Sequence, residues 1–261
     1  VPFAAHVNGP LPLTQTSAMP DVVRSALDRV TGGPKTKKTV YILGGVNAVS
    51  QQQEDTLRTA GYTVVRLGGD TRYATALKVA RQFGATKHVL VATGPDFPDA
   101  LAAGPLGAAE NAPIVLSSGT TTDPATAAFI RQHAAIDPVG GQAQKAVGAL
   151  NTTGETVDHT LAGSDRYATA VAVAARYAAI TGRATTQVGL ASGVVFPDAL
   201  SGGAYAAKVG MPLLLTNPQV LSPETAGYLT GLRQAKTLQF LDVFGGPEAV
   251  SLSIDKQLRG M

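Results

Sequence analysis

Short apolar runs alternate with amphipathic stretches along most of the chain. Val40-Tyr-Ile-Leu-Gly-Gly45 reads as a buried strand closed by a glycine turn, and Ser50 to Thr59 as a helix with a polar face. Val22, Val23, Leu27 and Val30 fall at helical spacing behind Pro20, a residue suited to the first turn because its missing N–H has no partner to lose there. Asp123-Pro124 and Ser222-Pro223 repeat the device, each with a capping residue before proline and an amphipathic run after it. One full unit reads strand (Val64–Leu67), helix (Arg72–Phe83), strand (Val89–Ala92), helix (Asp99–Glu110), strand (Ile114–Ser117), helix (Ala125–His133), then a fourth strand and helix. Strands that alternate with helices of this length build a parallel sheet covered on both faces, with right-handed crossovers. The expected fold is therefore α/β: tandem Rossmann-like or flavodoxin-like three-layer sandwiches.

The pattern repeats. Arg72-Tyr-Ala-Thr-Ala76, Val89-Leu-Val-Ala-Thr-Gly94 and Phe97-Pro-Asp-Ala-Leu101 return in the same order as Arg166-Tyr-Ala-Thr-Ala170, Val188-Gly-Leu-Ala-Ser-Gly193 and Phe196-Pro-Asp-Ala-Leu200. Arg72 and Arg166 are 94 residues apart, Phe97 and Phe196 99, so about five residues were inserted between the motifs, near Ile180–Ala184. A period near one hundred suits a small repeated domain rather than a solenoid unit. Pro10-Leu-Pro-Leu-Thr14 echoes Pro113-Ile-Val-Leu-Ser117 and Pro212-Leu-Leu-Leu-Thr216, and Phe3-Ala-Ala-His6 lines up with the helix that precedes each of them. The chain thus begins inside a third copy whose front half is missing. The expected divisions are 1–61 (incomplete copy), 62–154 and 155–261.

Composition narrows the function. The 261 residues are 44% hydrophobic and 15% charged, the balance of a cored globular protein. A formal charge of +3 without a Lys/Arg cluster argues against a nucleic-acid footprint but leaves room for an acidic partner. The absence of cysteine excludes disulfides, thiolate catalysis and thiolate metal sites. It is compatible with life outside a bacterial cell. No apolar run approaches the roughly 20 residues that span a bilayer, so membrane insertion is not expected.

Candidate chemistry is sparse. The glycine turns Gly44-Gly45 and Gly68-Gly69 follow strands, but none forms a dinucleotide fingerprint or a phosphate loop, and no cofactor is expected. Asp99 and Asp198 open alanine-rich helices behind Phe-Pro, where a carboxylate can cap backbone N–H groups. Neither has an obvious catalytic partner nearby in sequence, so capping outweighs acid–base catalysis. Arg72 and Arg166 each begin a helix, a place the dipole disfavours for a cation. Each guanidinium therefore serves something else: a buried pair with Asp99 or Asp198 of its own copy, or a phosphate or carboxylate of a bound polymer. The four histidines, His6, His88, His133 and His159, are scattered without ligand spacing and read as surface residues; no metal is expected. Ser192 sits at a strand end without a nucleophile elbow, where a small hydroxyl serves the turn.

Taken together, Arg66-Leu-Gly-Gly-Asp-Thr-Arg-Tyr-Ala-Thr-Ala76, Phe97-Pro-Asp-Ala-Leu101, Pro113-Ile-Val-Leu-Ser117 and Val40-Tyr-Ile-Leu-Gly-Gly45 with Ala48-Val-Ser50 resemble the type 2 cell-wall-binding repeat family of bacterial surface proteins. The resemblance runs through nearly the whole chain. It implies Rossmann-like units around a pseudo-threefold axis, secreted to the cell surface beside a further domain, and holding an anionic wall polymer (a teichoic-acid-like polymer or another secondary polysaccharide) without covalent bonds. It also implies that the Pro-Ile-Leu-Leu-type motif takes part in attachment. That motif falls here on Pro10–Leu13, on Pro113, Ile114, Val115 and Leu116, and on Pro212, Leu213, Leu214 and Leu215. The same runs read equally as central buried strands, and Pro12 weakens strand pairing in the first copy. Asp165-Arg166-Tyr167 keeps the family's triplet, whereas the earlier copy has Thr71-Arg72-Tyr73.

The leading expectation is a non-catalytic anchoring module, since repeated weak sites on one scaffold gain avidity for a polymer. The alternatives are an adhesion or assembly module that binds protein partners in a surface layer, and an α/β enzyme acting on sugars or nucleotides. The enzyme would need a catalytic constellation in one copy, and the sequence offers none.

Overall fold

The computed structural model describes residues 1–33, 36–150, 156–157 and 161–260. His159, Thr160 and the division between 154 and 155 lie outside them. After α1 (Pro2–His6) the chain forms α2 (Asp21–Thr31), β1 (Thr39–Leu43), α3 (Gln51–Thr59), β2 (Thr63–Leu67) and α4 (Arg72–Ala80). It continues through β3 (His88–Thr93), α5 (Pro98–Ala109), β4 (Ile114–Ser117), α6 (Pro124–Ile130), β5 (Ala135–Val139), α7 (Gly141–Gly148) and β6 (Thr156–Val157). The last elements are α8 (Arg166–Thr181), β7 (Gln187–Ser192), α9 (Pro197–Val209), β8 (Leu213–Thr216), α10 (Pro223–Gln234), β9 (Phe240–Phe244) and α11 (Leu252–Gly260). They pack as two compact units, one of Pro12–Gln82 and one of Val1–Leu11 with Phe83–Met261.

All named strands pair in parallel, in the orders β1-β2, β4-β3-β5-β6 and β8-β7-β9. The expected mixed α/β architecture with parallel sheets is what the chain adopts. The sheets, however, run out of phase with the sequence repeat. β2 precedes the first Arg-Tyr helix yet pairs with β1, the strand before it in the chain. In the same way β6, and a bridge from Leu161 to Val139, extend the sheet of the preceding copy through β5.

The smaller unit is cored by Leu27, Ile42, Leu57 and Tyr62. Arg66 on β2 pins the turn after β1: its guanidinium pairs with buried Glu54 at 2.5 Å and donates to the carbonyls of Gly44, Val49 and Ser50. Three elementary features shape the larger unit. Strands β3 and β7 are apolar and buried along nearly their whole length, as a strand covered on both faces must be. Prolines 98, 124, 197 and 223 stand at the first position of α5, α6, α9 and α10. Helix α5, buried from Leu101 to Gly107, packs against α1, α8 and α9 and against both sheets of this unit.

Some local expectations need correction. Asp123 caps α6 through Ala125 and Thr126 N–H as expected. Ser222 does not cap α10; its hydroxyl accepts from Asn217 N–H instead. Pro20 occupies the cap position of α2 rather than its first turn, and no side chain caps that helix. No strand forms at Pro10–Leu13, where Pro12 has no N–H to give a ladder. The five-residue insertion has a simple form. Helix α8 runs 16 residues to a left-handed Gly182, whereas α4 runs nine and ends in one 3-10 turn, Arg81–Phe83.

Candidate functional site

Ligands of open parallel sheets sit beyond the carboxyl ends of the strands. In the larger unit those ends carry the Arg166 motif and both Phe-Pro-Asp-Ala-Leu motifs. Asp165 caps α8 by accepting from Tyr167 and Ala168 N–H, and Thr71 does the same for α4 through Ala74 N–H. The Asp-to-Thr difference between copies is thus an exchange of caps. Behind each cap the same bond recurs, from Gly69 N–H to the Thr75 hydroxyl and from Gly163 N–H to Thr169.

The cap aims Arg166 across the end of β7. Its guanidinium donates to the Gly193 carbonyl at 2.5 Å and pairs with the Asp96 carboxylate at 3.0 Å. This corrects the expected pairing within one copy: the partner is Asp96 of the preceding copy rather than Asp198. Tyr167 packs so closely on Gly193 that a Cβ there would lie 2.7 Å from the Tyr167 ring. The side chain of Arg166 stays 34% exposed, and two of its five N–H donors are spent on Gly193 and Asp96. Beside it the loops after β3 and β7 meet through Phe97 and Phe196, their rings edge to face at 5.7 Å, with Val194, Val195 and Phe196 exposed. An exposed guanidinium next to an apolar shelf can hold a phosphate or carboxylate and stack against the face of a sugar. Arg72 begins α4 in the smaller unit and is exposed.

The two aspartates do something the sequence reading missed. Neither caps its helix: Phe97 and Phe196 hold the cap positions of α5 and α9, and no side chain caps either helix. Each carboxylate instead lies against a glycine turn at a strand end, Asp99 on Gly140 after β5 and Asp198 on Gly245 after β9. Burial pushes the Asp99 carboxyl up from 3.8 to about 6; the charge of Asp96 adds to the push and Arg166 opposes it. A carboxyl raised in the folded state holds its proton more tightly there than in the unfolded chain. Its contribution is therefore most favourable below about pH 4 and is lost as pH rises through about 6. Asp99→Asn should remove that dependence. Urea midpoints of the parent should fall relative to those of the variant between pH 4 and 6; parallel pH curves for the two proteins would contradict the assignment.

The Pro-Ile-Leu-Leu-type runs are core. Pro212, Leu213, Leu214 and Leu215 are buried, as are Pro113 and Val115, while Ile114 and Leu116 are half-buried. Only the strand-end residues beyond them, Ser117 and Thr216, lead into the loops. Ser192 is also accounted for: its buried hydroxyl accepts from Val194 and Val195 N–H, the turn role expected of it. Of the histidines, His6 is exposed, but the surface reading fails for two others. His133 is buried, bonded to the Phe129 carbonyl, with burial lowering its pKa, and His88 is largely buried beside Asp137. Asp96 and the Gly193 carbonyl are the site groups that sequence reasoning missed. The repeat hid Asp96, because Val195 stands in its place in the later copy.

The cell wall binding domain 2 family model matches residues 66–148 and 160–255, the stretches that carry these motifs. The chain belongs to that family. It is a cell-wall-binding module. It is 28% identical to the N-acetylmuramoyl-L-alanine amidase LytC of Bacillus subtilis, over 99% of this chain and 49% of LytC. A Bacillus subtilis amidase enhancer is 32% identical over 45% of the chain and 16% of its own length. Among solved structures, Cwp8 from Clostridium difficile superposes with a TM-score of 0.81 at 26% identity, over 98% of this chain and 43% of Cwp8. Cwp6 of the same organism gives 0.80 at 21% identity, over 98% and 41%, and shares the fold. The chain therefore spans about half the length of LytC and less than half of either Cwp chain. No helix among the described residues is long and apolar enough to cross a membrane.

Proposed function

We propose that this module anchors a secreted protein to the bacterial wall by binding an anionic wall polymer without catalysing its conversion. The observation that carries the reading is Arg166, held between Gly193 and Asp96 at the meeting point of two copies with its side chain 34% exposed. A polymer of phosphate or carboxylate groups would take the remaining guanidinium donors, and its sugar faces would lie on Val194, Val195 and Phe196. Arg72, which opens the equivalent helix, would serve the same polymer, and avidity would multiply weak contacts. Asp99 and Asp198 would act by fixing the glycine turns, and the buried Pro-Ile-Leu-Leu-type strands by presenting the strand ends. Catalysis would reside in a further domain, as the amidase relative suggests, since this chain covers half of that protein.

The test is a binding isotherm on purified, protein-free wall polymer at low and high salt. Arg166→Ala should weaken binding about tenfold at low salt and flatten the salt dependence, because one charge-assisted contact is removed. Binding by the variant equal to the parent at every salt concentration would remove Arg166 from the site.

A further inference from the structure

We propose that His88, Glu110 and Asp137 form a binding site for one first-row divalent metal ion, best suited to zinc. Among the described residues these three are the group whose donor atoms lie together, all within 4.8 Å of one another. They come from three elements of the larger unit: the start of β3, the end of α5 and the middle of β5. The side chains are 14%, 5% and 0% exposed in that order.

One atom points to a missing partner. Arg176 of α8 holds Glu110 through Oε1 at 3.0 Å, but Glu110 Oε2 is buried without a hydrogen bond. A buried carboxylate oxygen left unsatisfied is expensive, and native structures rarely keep one without water, an ion or a ligand to meet it. Glu110 lines a cavity of about 440 Å³ together with His88, Arg176, Thr181 and Arg183, so an ion has room to enter beside it.

One pair of donors already stands at the spacing a small ion needs, and the third is within 4.8 Å of both. His88 Nδ1 and Asp137 Oδ2 are 3.1 Å apart. Metal–ligand bonds of roughly 2.0–2.1 Å in a tetrahedron place neighbouring donors about 3.3 Å apart. One imidazole and two carboxylates, with no thiolate, suit zinc with water completing the shell; calcium and magnesium favour all-oxygen shells. Arg176 would act in the outer shell, fixing one carboxylate oxygen so that the other faces the ion.

The later copy shows that the fold does not require these groups. There Gln187 and Asp242 occupy the places of His88 and Asp137 and bond at 2.7 Å, while Val209 stands where Glu110 would be. A satisfied amide–carboxylate pair serves the sheet in that copy. The histidine and the glutamate are additions particular to one junction.

The experiment is calorimetric titration of the tag-free chain with zinc chloride, with magnesium chloride as the comparison. One zinc per chain with micromolar or tighter affinity is expected, and a thermal midpoint that rises with zinc concentration. His88→Ala and Glu110→Gln should each weaken binding at least tenfold, whereas Asp242→Asn should leave it unchanged. Should either variant fail to fold by circular dichroism, zinc-edge X-ray absorption of the parent decides instead. A shell with one imidazole among oxygen donors supports the site; a shell without imidazole, or with several, overturns it. Failure of the folded parent to bind a single zinc, or undiminished binding by both folded variants, overturns it as well.

Discussion

Replacing Leu214 by alanine lowers the stability of the larger unit by about 3 kcal/mol, yet wall binding per folded molecule stays at the parent's level. Leu214 is fully buried in β8, opposite Leu190 of β7, in a cluster with Val188, Leu221, Leu229, Val250 and Ile254. Truncation removes the transfer energy of three carbon atoms and leaves a cavity that strands buried on both faces cannot close. Because the side chain has no exposed surface, it has no route to a polymer except through the fold. Urea unfolding followed by circular dichroism measures the first part. Sedimentation with walls, corrected for the folded fraction, measures the second. A variant as stable as the parent that no longer binds would mean that this motif touches the ligand itself.

Gly140→Ala is expected to cost at least about 3 kcal/mol. Gly140 adopts φ 86° and ψ 154°, a region that only glycine enters without strain. A Cβ built there would also stand 1.9 Å from the Asp99 carboxylate oxygen. The two penalties separate in a double variant. Adding Asp99→Ala removes the collision and leaves the backbone strain, so it should recover part of the loss and not all of it. Full recovery would show that the collision accounts for the whole loss; no recovery would show that Asp99 does not crowd the turn. Gly245 repeats the arrangement at φ 115°, with a Cβ 2.6 Å from the Ala249 Cβ and 2.7 Å from Asp198.

Much of this was legible in the sequence. Apolar runs such as Val89–Ala92 and Ile114–Ser117 gave the strands almost to the residue, because a strand buried on both faces must be apolar throughout. The ordered return of Arg-Tyr-Ala-Thr-Ala and Phe-Pro-Asp-Ala-Leu gave the repetition. What was not legible depends on contacts distant in sequence. Asp96 meets Arg166 across 70 residues, and it lies outside the repeated pattern, so neither local periodicity nor comparison between copies could find it. The pairing of β2 with β1 is a choice of sheet edge, which the residues of β2 do not encode. Asp99 looked like a cap because its place at the front of a helix is where caps occur; only the tertiary fold brings Gly140 against it. His133 looked like a surface residue because nothing in a lone histidine reveals the Phe129 carbonyl that satisfies its buried ring.

The measurement that bears most directly on the anchoring role is co-sedimentation with protein-stripped Gram-positive walls, before and after their anionic polymers are extracted. The chain should pellet with intact walls and stay in the supernatant once the polymers are gone, with Arg166→Ala impaired on intact walls. Pelleting that survives extraction undiminished would contradict the account and place the binding on peptidoglycan or another wall component.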